Sequence, residues 1–225
     1  MRFSPVAEWS RSFLILILYY TILVHACQTC YNFRQNRTER KGIGGMRLFF
    51  GLSLPQEIRA ITDRCALQAQ QMIPGRYALS ENHHITLAFL GEVEKERLKD
   101  ARDVLASCVA GFPAPVLTLD GFAHFGKASN GILILRVRSE PALDALHDQL
   151  VCALREAELP ADPGPFSPHI TLARHAQIGG AVPQCPGDCF QAAHAHVFLS
   201  ARDTQNILRY TPLETVSFMH EGSSR

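Results

Sequence analysis

His84-Ile85-Thr86-Leu87 lies in a short apolar run, and the same four residues return as His169-Ile170-Thr171-Leu172, 85 positions later. Both runs read as strands. Side chains alternate across a strand with period two, so histidine and threonine share one face while isoleucine and leucine share the other. Each copy offers an imidazole beside a hydroxyl. Continued alternation puts Ala88 and Ala173 next on the two polar faces, small residues that leave room in front of each His/Thr pair for a ligand. A single copy would read as an ordinary strand tetrapeptide, with threonine chosen for β propensity. Two identical copies, each opening a strand after a polar or proline-containing turn, point instead to a shared site.

Two histidines suit displacement at phosphorus. One proton must leave an attacking water and another must reach the departing oxygen, and histidine can serve either role near neutral pH. One imidazole neutral and one protonated gives a bell-shaped pH profile. Threonine hydroxyls can donate to the non-bridging oxygens without adding negative charge. The scheme needs no metal and no cofactor.

The flanking residues carry a resemblance. Met46-Arg47-Leu48-Phe49-Phe50-Gly51-Leu52, the run Asn82 to Val93, Phe166-Ser167-Pro168 before the second motif with Ala173-Arg174 after it, and Arg209-Tyr210-Thr211-Pro212-Leu213 together resemble the 2H phosphoesterases. Within that superfamily they look like the RNA 2′,3′-cyclic phosphodiesterase branch, once called 2′-5′ RNA ligases. The likeness extends over residues 46–225. It implies that His84 is the proton donor to the leaving 3′ oxygen and His169 the proton acceptor from water, with Thr86 and Thr171 on the phosphate. An arginine at the place of Arg174 is implied to bind phosphate too. Strict alternation from His169 puts Arg174 on the opposite face, so it reaches a cleft only if the strand ends, twists or bulges there. Arg76-Tyr77 stands where family members often carry Arg-Trp, offering a guanidinium for phosphate and a ring for a base. Wall packing and a surface ion pair are the competing readings.

Composition sets the outer limits. The 225-residue chain is 47% hydrophobic and 19% charged, an ordinary globular balance long enough for one well-buried domain. Its net charge of +1 hides an asymmetry: residues 1–45 carry six Lys/Arg against two Asp/Glu, and the rest carries sixteen against nineteen. The motif-bearing part is therefore mildly acidic, which argues against a long groove for duplex nucleic acid. An RNA 3′ end or a small nucleotide remains a fitting partner. Of seven cysteines, Cys65, Cys108 and Cys152 fall on or beside apolar helix faces and read as reduced core residues. Cys27-x-x-Cys30 and the Cys185/Cys189 pair lack a second pair at zinc-ribbon spacing.

Arg2 and Arg11 precede an apolar run from Phe13 to Val24, the outline of a leader, too short for a membrane span. The alternative is that Met46 is the native start and 1–45 an over-long reading frame, since Glu39-Arg40-Lys41-Gly42 is what a purine-rich ribosome-binding site would encode. On that reading the chain is a leader-like or mis-started extension, 1–45, followed by one domain, 46–225. The domain is expected to be cytoplasmic, monomeric and without membrane contact, and exported only if the leader is made.

Along the domain, strands are expected at Arg47–Leu54, Val116–Leu119, Ile132–Val137, Ala193–Leu199 and Val216–Met219, besides the two motif strands. Helices are expected at Gln56–Met72, Glu92–Val109 and Pro141–Ala157, each with an apolar stripe at three/four spacing. Gly91 is read as closing the first motif strand, and Gly121–Gly126 and Gln177–Gln191 as loops. His83 falls opposite His84 and reads as structural; His124 is a weak substrate-contact candidate. His175, His194 and His196 could be recruited to zinc, but packing or solvent-facing roles fit their spacing better. Strand-helix-strand material occurs twice, so the fold class is α+β, a two-lobed, pseudo-duplicated 2H phosphoesterase fold with antiparallel sheets lining a central cleft and helices outside. The expected activity is metal-independent opening of a 2′,3′-cyclic phosphate on RNA to a 2′-phosphomonoester. The alternatives are small cyclic nucleotides or an ADP-ribose cyclic phosphate, 2′-5′ ligation as the reverse reaction, a noncatalytic binder of RNA ends, and a zinc or redox protein.

Overall fold

The computed structural model describes residues 45–219 apart from 139, 163, 181 and 186. The leader reading of 1–45, with Cys27 and Cys30, lies outside the described residues except for Gly45. The elements run β1 (Met46–Ser53), α1 (Gln56–Gln70), β2 (Arg76–Tyr77), β3 (His84–Val93), α2 (Leu98–Val109), β4 (Val116–Phe125), β5 (Gly131–Val137), α3 (Pro141–Glu156), β6 (His169–Ala176), β7 (Cys189–Gln191), β8 (His194–Arg202) and β9 (Leu208–Ser217). The helices bury most of the stripes read from sequence: Ile58, Cys65 and Ala69 on α1, Ala101, Leu105 and Cys108 on α2, Leu143, Leu146, Leu150 and Leu154 on α3. Ile61 and Leu98 are only half-buried, and Met72, expected to end the first stripe, lies past the helix and is exposed.

The strands form one antiparallel sheet in the order β7-β4-β5-β6-β3-β1-β8-β9, with β2 added to β6. It has two halves. Strands β1, β3, β8 and β9 make one, and β4 to β7 the other; they meet where β3 and β6 cross at a single pair, Ile85 with Ile170. Both isoleucines are fully buried. The crossing therefore joins the two motif strands at equivalent residues, which is what the repeat predicts.

Several boundaries differ from the sequence reading; the expected loop Gln177–Gln191, for one, ends in strand β7. The first motif strand does not close at Gly91 but continues to Val93, because Gly91, at φ 71°, absorbs an irregularity in the pairing. The second helix therefore starts at Leu98, after a 3-10 turn at Lys95–Arg97. Residues 121–125, read as loop, belong to β4, paired with β5. The last strand begins at Leu208 rather than Val216. Its alternation was weak because β9 is an edge strand, which also explains how it tolerates Pro212.

Both motif strands carry a β-bulge at the same motif position. Phe50 pairs with Ala88 and Gly51 with Thr86, leaving Leu87 extra; Leu133 pairs with Ala173 and Ile134 with Thr171, leaving Leu172 extra. The bulge turns two consecutive side chains to one side. Leu87 with Ala88, and Leu172 with Ala173, all lie in the hydrophobic core. This corrects the expectation that the two alanines face the cleft. The cleft side resumes one residue later, at Phe89 and Arg174, so the bulge supplies the condition under which Arg174 shares a face with His169.

Candidate active site

Each motif histidine is held by the same local device. His84 Nδ1 lies 2.7 Å from the carbonyl of Asn82, and His169 Nδ1 lies 2.7 Å from the carbonyl of Ser167. A carbonyl only accepts, so Nδ1 carries the proton in both rings and Nε2 is left for chemistry. His84 Nε2 is 3.0 Å from Thr86 Oγ1. On the cleft face, β3 thus presents His84, Thr86 and Phe89, while β6 presents His169, Thr171 and Arg174.

The walls are aromatic and again paired by position. Tyr210 meets the His84 ring edge-on at 4.9 Å and 82°; Phe125 meets His169 at 4.8 Å and 79°. Phe49 lies 4.8 Å from His84, and Phe198 stacks behind Phe49 at 5.0 Å. Gly51 sits opposite Thr86, where an added Cβ would come within 3.0 Å of the Ile85 carbonyl and 3.4 Å of both His84 Cδ2 and the Phe198 ring. The tight contact is the one with the Ile85 carbonyl, so a side chain at 51 would press on the β3 backbone beside the histidine. Beside His84 a hollow of about 360 Å³ is lined by Arg59, His83, His196 and Tyr210 among others.

The segment before His84 is fixed from β9. Asn82, 7% exposed, donates to the Leu208 carbonyl at 2.8 Å and accepts from the Tyr210 amide at 3.1 Å. One side chain therefore sets both the carbonyl that orients His84 and the ring that abuts it. Asn82→Ala is expected to lower stability by about 2 kcal/mol, since it strands a buried amide and carbonyl, and to cut turnover while leaving the protein folded. Unchanged urea midpoint and unchanged turnover would refute this positioning role. His83, 3% exposed, turns away from the cleft side and lies 3.1 Å from Asp63, which also accepts from Ser80 at 2.6 Å.

Burial holds the imidazoles neutral. The His84 pKa is pushed down to about 4, chiefly by burial, with His169 and Arg174 adding to the effect against the Asn82 carbonyl. His169 is lowered for the same first reason, and Arg174 again contributes. His196 falls to about 4 through burial and the nearby His194, and His83 is lowered by burial against the pull of Asp63. All four lie below the unfolded value of about 6.5. Between these values the unfolded chain binds more protons, so stability is complete above pH 6.5 and is lost as pH falls towards 4. The urea midpoint is expected to drop steadily across that range; a midpoint flat from pH 7 to 4.5 would contradict the burial of these rings.

A family model described as the 2′-5′ RNA ligase superfamily matches residues 53–178. The chain belongs to this superfamily. A relative from Escherichia coli (strain K12) named RNA 2′,3′-cyclic phosphodiesterase is 34% identical over 170 residues, spanning 75% of this chain and 94% of the relative. One of the same name from Thermotoga maritima is 30% identical over 131 residues, 57% of this chain and 70% of its own length. The crystal structure of E. coli LigT in apo form superposes with a TM-score of 0.66 at 30% identity, covering 77% of this chain and 98% of that one.

Among the superfamily positions expected from sequence, the fold brings His84, Thr86, His169, Thr171 and Arg174 to one face. Arg76 joins them, because it pairs with Arg174 across β2 and β6. Tyr77 does not. It pairs with Ala173 on the core side, and its hydroxyl donates to the Ile73 carbonyl at 3.0 Å. His124 registers with Leu133 on the face opposite Phe125. His175, on β6, bonds Asn130 and lies three strands from His194 and His196 on β8. Among the described residues no group of three His, Cys, Asp or Glu could hold a metal ion, and no helix is long and apolar enough to cross a membrane. Sequence reading missed Phe49, Phe89 and Phe198 as walls, took Phe125 only as part of an aromatic loop whose Phe-Gly resembles a family element near the cleft, and took Tyr210 only as part of a matching stretch.

Proposed function

We propose that the chain opens a 2′,3′-cyclic phosphate at the 3′ end of RNA or an oligonucleotide, leaving a 2′-phosphomonoester and a free 3′ hydroxyl, as a cytoplasmic monomer. The observation carrying this reading is the paired histidines, each with Nδ1 committed to the carbonyl two residues back and Nε2 facing one cleft. His169 Nε2 takes a proton as water oxygen bonds to phosphorus. The bond from phosphorus to the 3′ oxygen breaks, and His84 Nε2 supplies that oxygen's proton. Thr86 and Thr171 donate to the non-bridging oxygens, and the Arg174 guanidinium balances charge developing there. Arg76, across from Arg174, adds a second cation for an anionic substrate. Phe89, Phe125 and Tyr210 offer ring surfaces to an unpaired base.

His84 begins uncharged at neutral pH, so the working proton arrives with the anion. A bound phosphate favours the imidazolium, and the burial that lowers the pKa of His84 makes it the stronger acid once charged. A second reading, small nucleotides as substrates, draws on solved structures of E. coli LigT with 3′-AMP and with NADP+. The deciding experiment uses an RNA oligonucleotide ending in a 2′,3′-cyclic phosphate, with EDTA present, and identifies the product by ³¹P NMR. The 2′-phosphate is expected. A ring left closed by folded protein, or a 3′-phosphate product, would rule the proposal out.

A further inference from the structure

Cys65 and Cys185 are 120 positions apart in the chain, yet their sulfurs lie 3.4 Å apart and share a hydrogen bond. Cys65 is on the buried side of α1, and Cys185 is half-buried in the segment between β6 and β7. The sequence reading treated Cys65 as an inert core residue and grouped Cys185 with Cys189. The fold regroups them: Cys189 is exposed, and its sulfur lies 3.2 Å from Thr118 Oγ1 instead.

We propose that Cys65 and Cys185 form a site of reversible oxidation, joined as an intramolecular disulfide by exchange with a small disulfide such as glutathione disulfide. A disulfide bond is about 2.05 Å long, so the sulfurs, now 3.4 Å apart, need to approach by about 1.4 Å. The segment carrying Cys185 is irregular and can supply that movement. Cys185, the more accessible of the two, attacks one sulfur of the reagent as its thiolate and releases one glutathione thiolate. Cys65 then attacks the Cys185 sulfur of the mixed disulfide and displaces the second glutathione thiolate from the protein. Two protein thiols lose two protons and two electrons, and the reagent is reduced to two thiols. The contact between the Cys65 thiol and the Cys185 sulfur, with Arg64 nearby, holds Cys65 below its ordinary value despite burial, which suits it to the second step. Cys185 is held above its ordinary value by Cys65 and by burial, so the first step is slow and accelerates with rising pH.

The bond has a structural consequence. Both motif strands, β3 and β6, lie between Cys65 and Cys185 in the chain, so the disulfide closes a loop that contains the whole pair of histidines. Cys65 follows Asp63, which holds Ser80 and His83 just ahead of β3, while Cys185 lies in the segment that leaves β6. Oxidation braces the two motif-bearing halves against each other, and a long closed loop stabilises through the unfolded state.

The test incubates the folded full chain with glutathione disulfide, alkylates remaining thiols and maps the unreduced digest by mass spectrometry. A Cys65–Cys185 peptide that disappears with dithiothreitol is expected, together with a rise in melting temperature of about 10 °C. Cys185→Ser, on the more accessible residue, should show neither, and Cys65→Ser should leave Cys185 carrying glutathione. Recovery from the parent of only glutathionylated Cys185, or of a Cys185–Cys189 peptide, overturns the proposal. A cross-linked chain with an unchanged melting temperature overturns the brace.

Discussion

His84→Ala and His169→Ala each lower kcat on a cyclic-phosphate RNA end by about a hundred- to ten-thousandfold, the share of a positioned acid or base. The two losses are not independent. Water attack and departure of the 3′ oxygen belong to one displacement, so the double variant should fall little below the worse single one. Each variant should remain folded, because the two rings face the cleft while Ile85 and Ile170 hold the strand crossing in the core. Circular dichroism and the urea midpoint separate lost chemistry from lost structure. A single variant with folded structure and parental turnover would remove that histidine from the mechanism. Full additivity in the double variant would mean that the rings act in separate steps.

Arg174→Gln is the second large effect, about a hundredfold in kcat/KM, since on the proposed mechanism it removes a cation that faces the developing phosphate charge. It carries a distinct pH signature. Arg174 helps depress both His84 and His169, so its loss lets both pKa values rise. The acidic limb, set by the base losing its proton, and the basic limb, set by the acid keeping its proton, then both move to higher pH. Imidazole titration by NMR on the parent and the variant measures this without turnover. If rate falls while neither imidazole moves, Arg174 binds substrate from beyond electrostatic reach of the pair. If both imidazoles move and rate does not fall, the guanidinium tunes the histidines without serving the phosphate.

Much of this site was legible because it is encoded locally. A histidine and a threonine two residues apart share a face in any strand, and an identical second copy marks a second such face. The stripes Leu143, Leu146, Leu150 and Leu154, or Ala101, Leu105 and Cys108, likewise need only helical periodicity. Alternation holds through the fourth motif residue and fails at the next, Ala88 and Ala173. Nothing in Leu172-Ala173-Arg174 announces a bulge, because a bulge is a mismatch between two strands, here β6 against Leu133 and Ile134 of β5. Tyr77 was misplaced for a related reason: its face is set by the short pairing of β2 with β6, where Ala173 already points to the core.

The residues around the histidines were hidden by distance along the chain. Tyr210 reaches His84 across more than a hundred positions, held there by Asn82, whose side chain spans the gap to β9. Phe125 reaches His169 because β4 continues through what reads as a glycine-rich loop. The Cys65–Cys185 contact has no sequence signal at all, only spatial adjacency.

The sequence by itself determined the two histidine-threonine faces, the three helices and the doubled α+β plan, since each follows from the period of a strand or helix. Tertiary structure alone decided which neighbours complete the site: Arg174 and Phe89 through the matched bulges, Tyr210 and Phe125 as aromatic walls, and the depressed basicity of the imidazoles. Those features depend on register between strands and on burial, and both are properties of the assembled sheet rather than of any one segment.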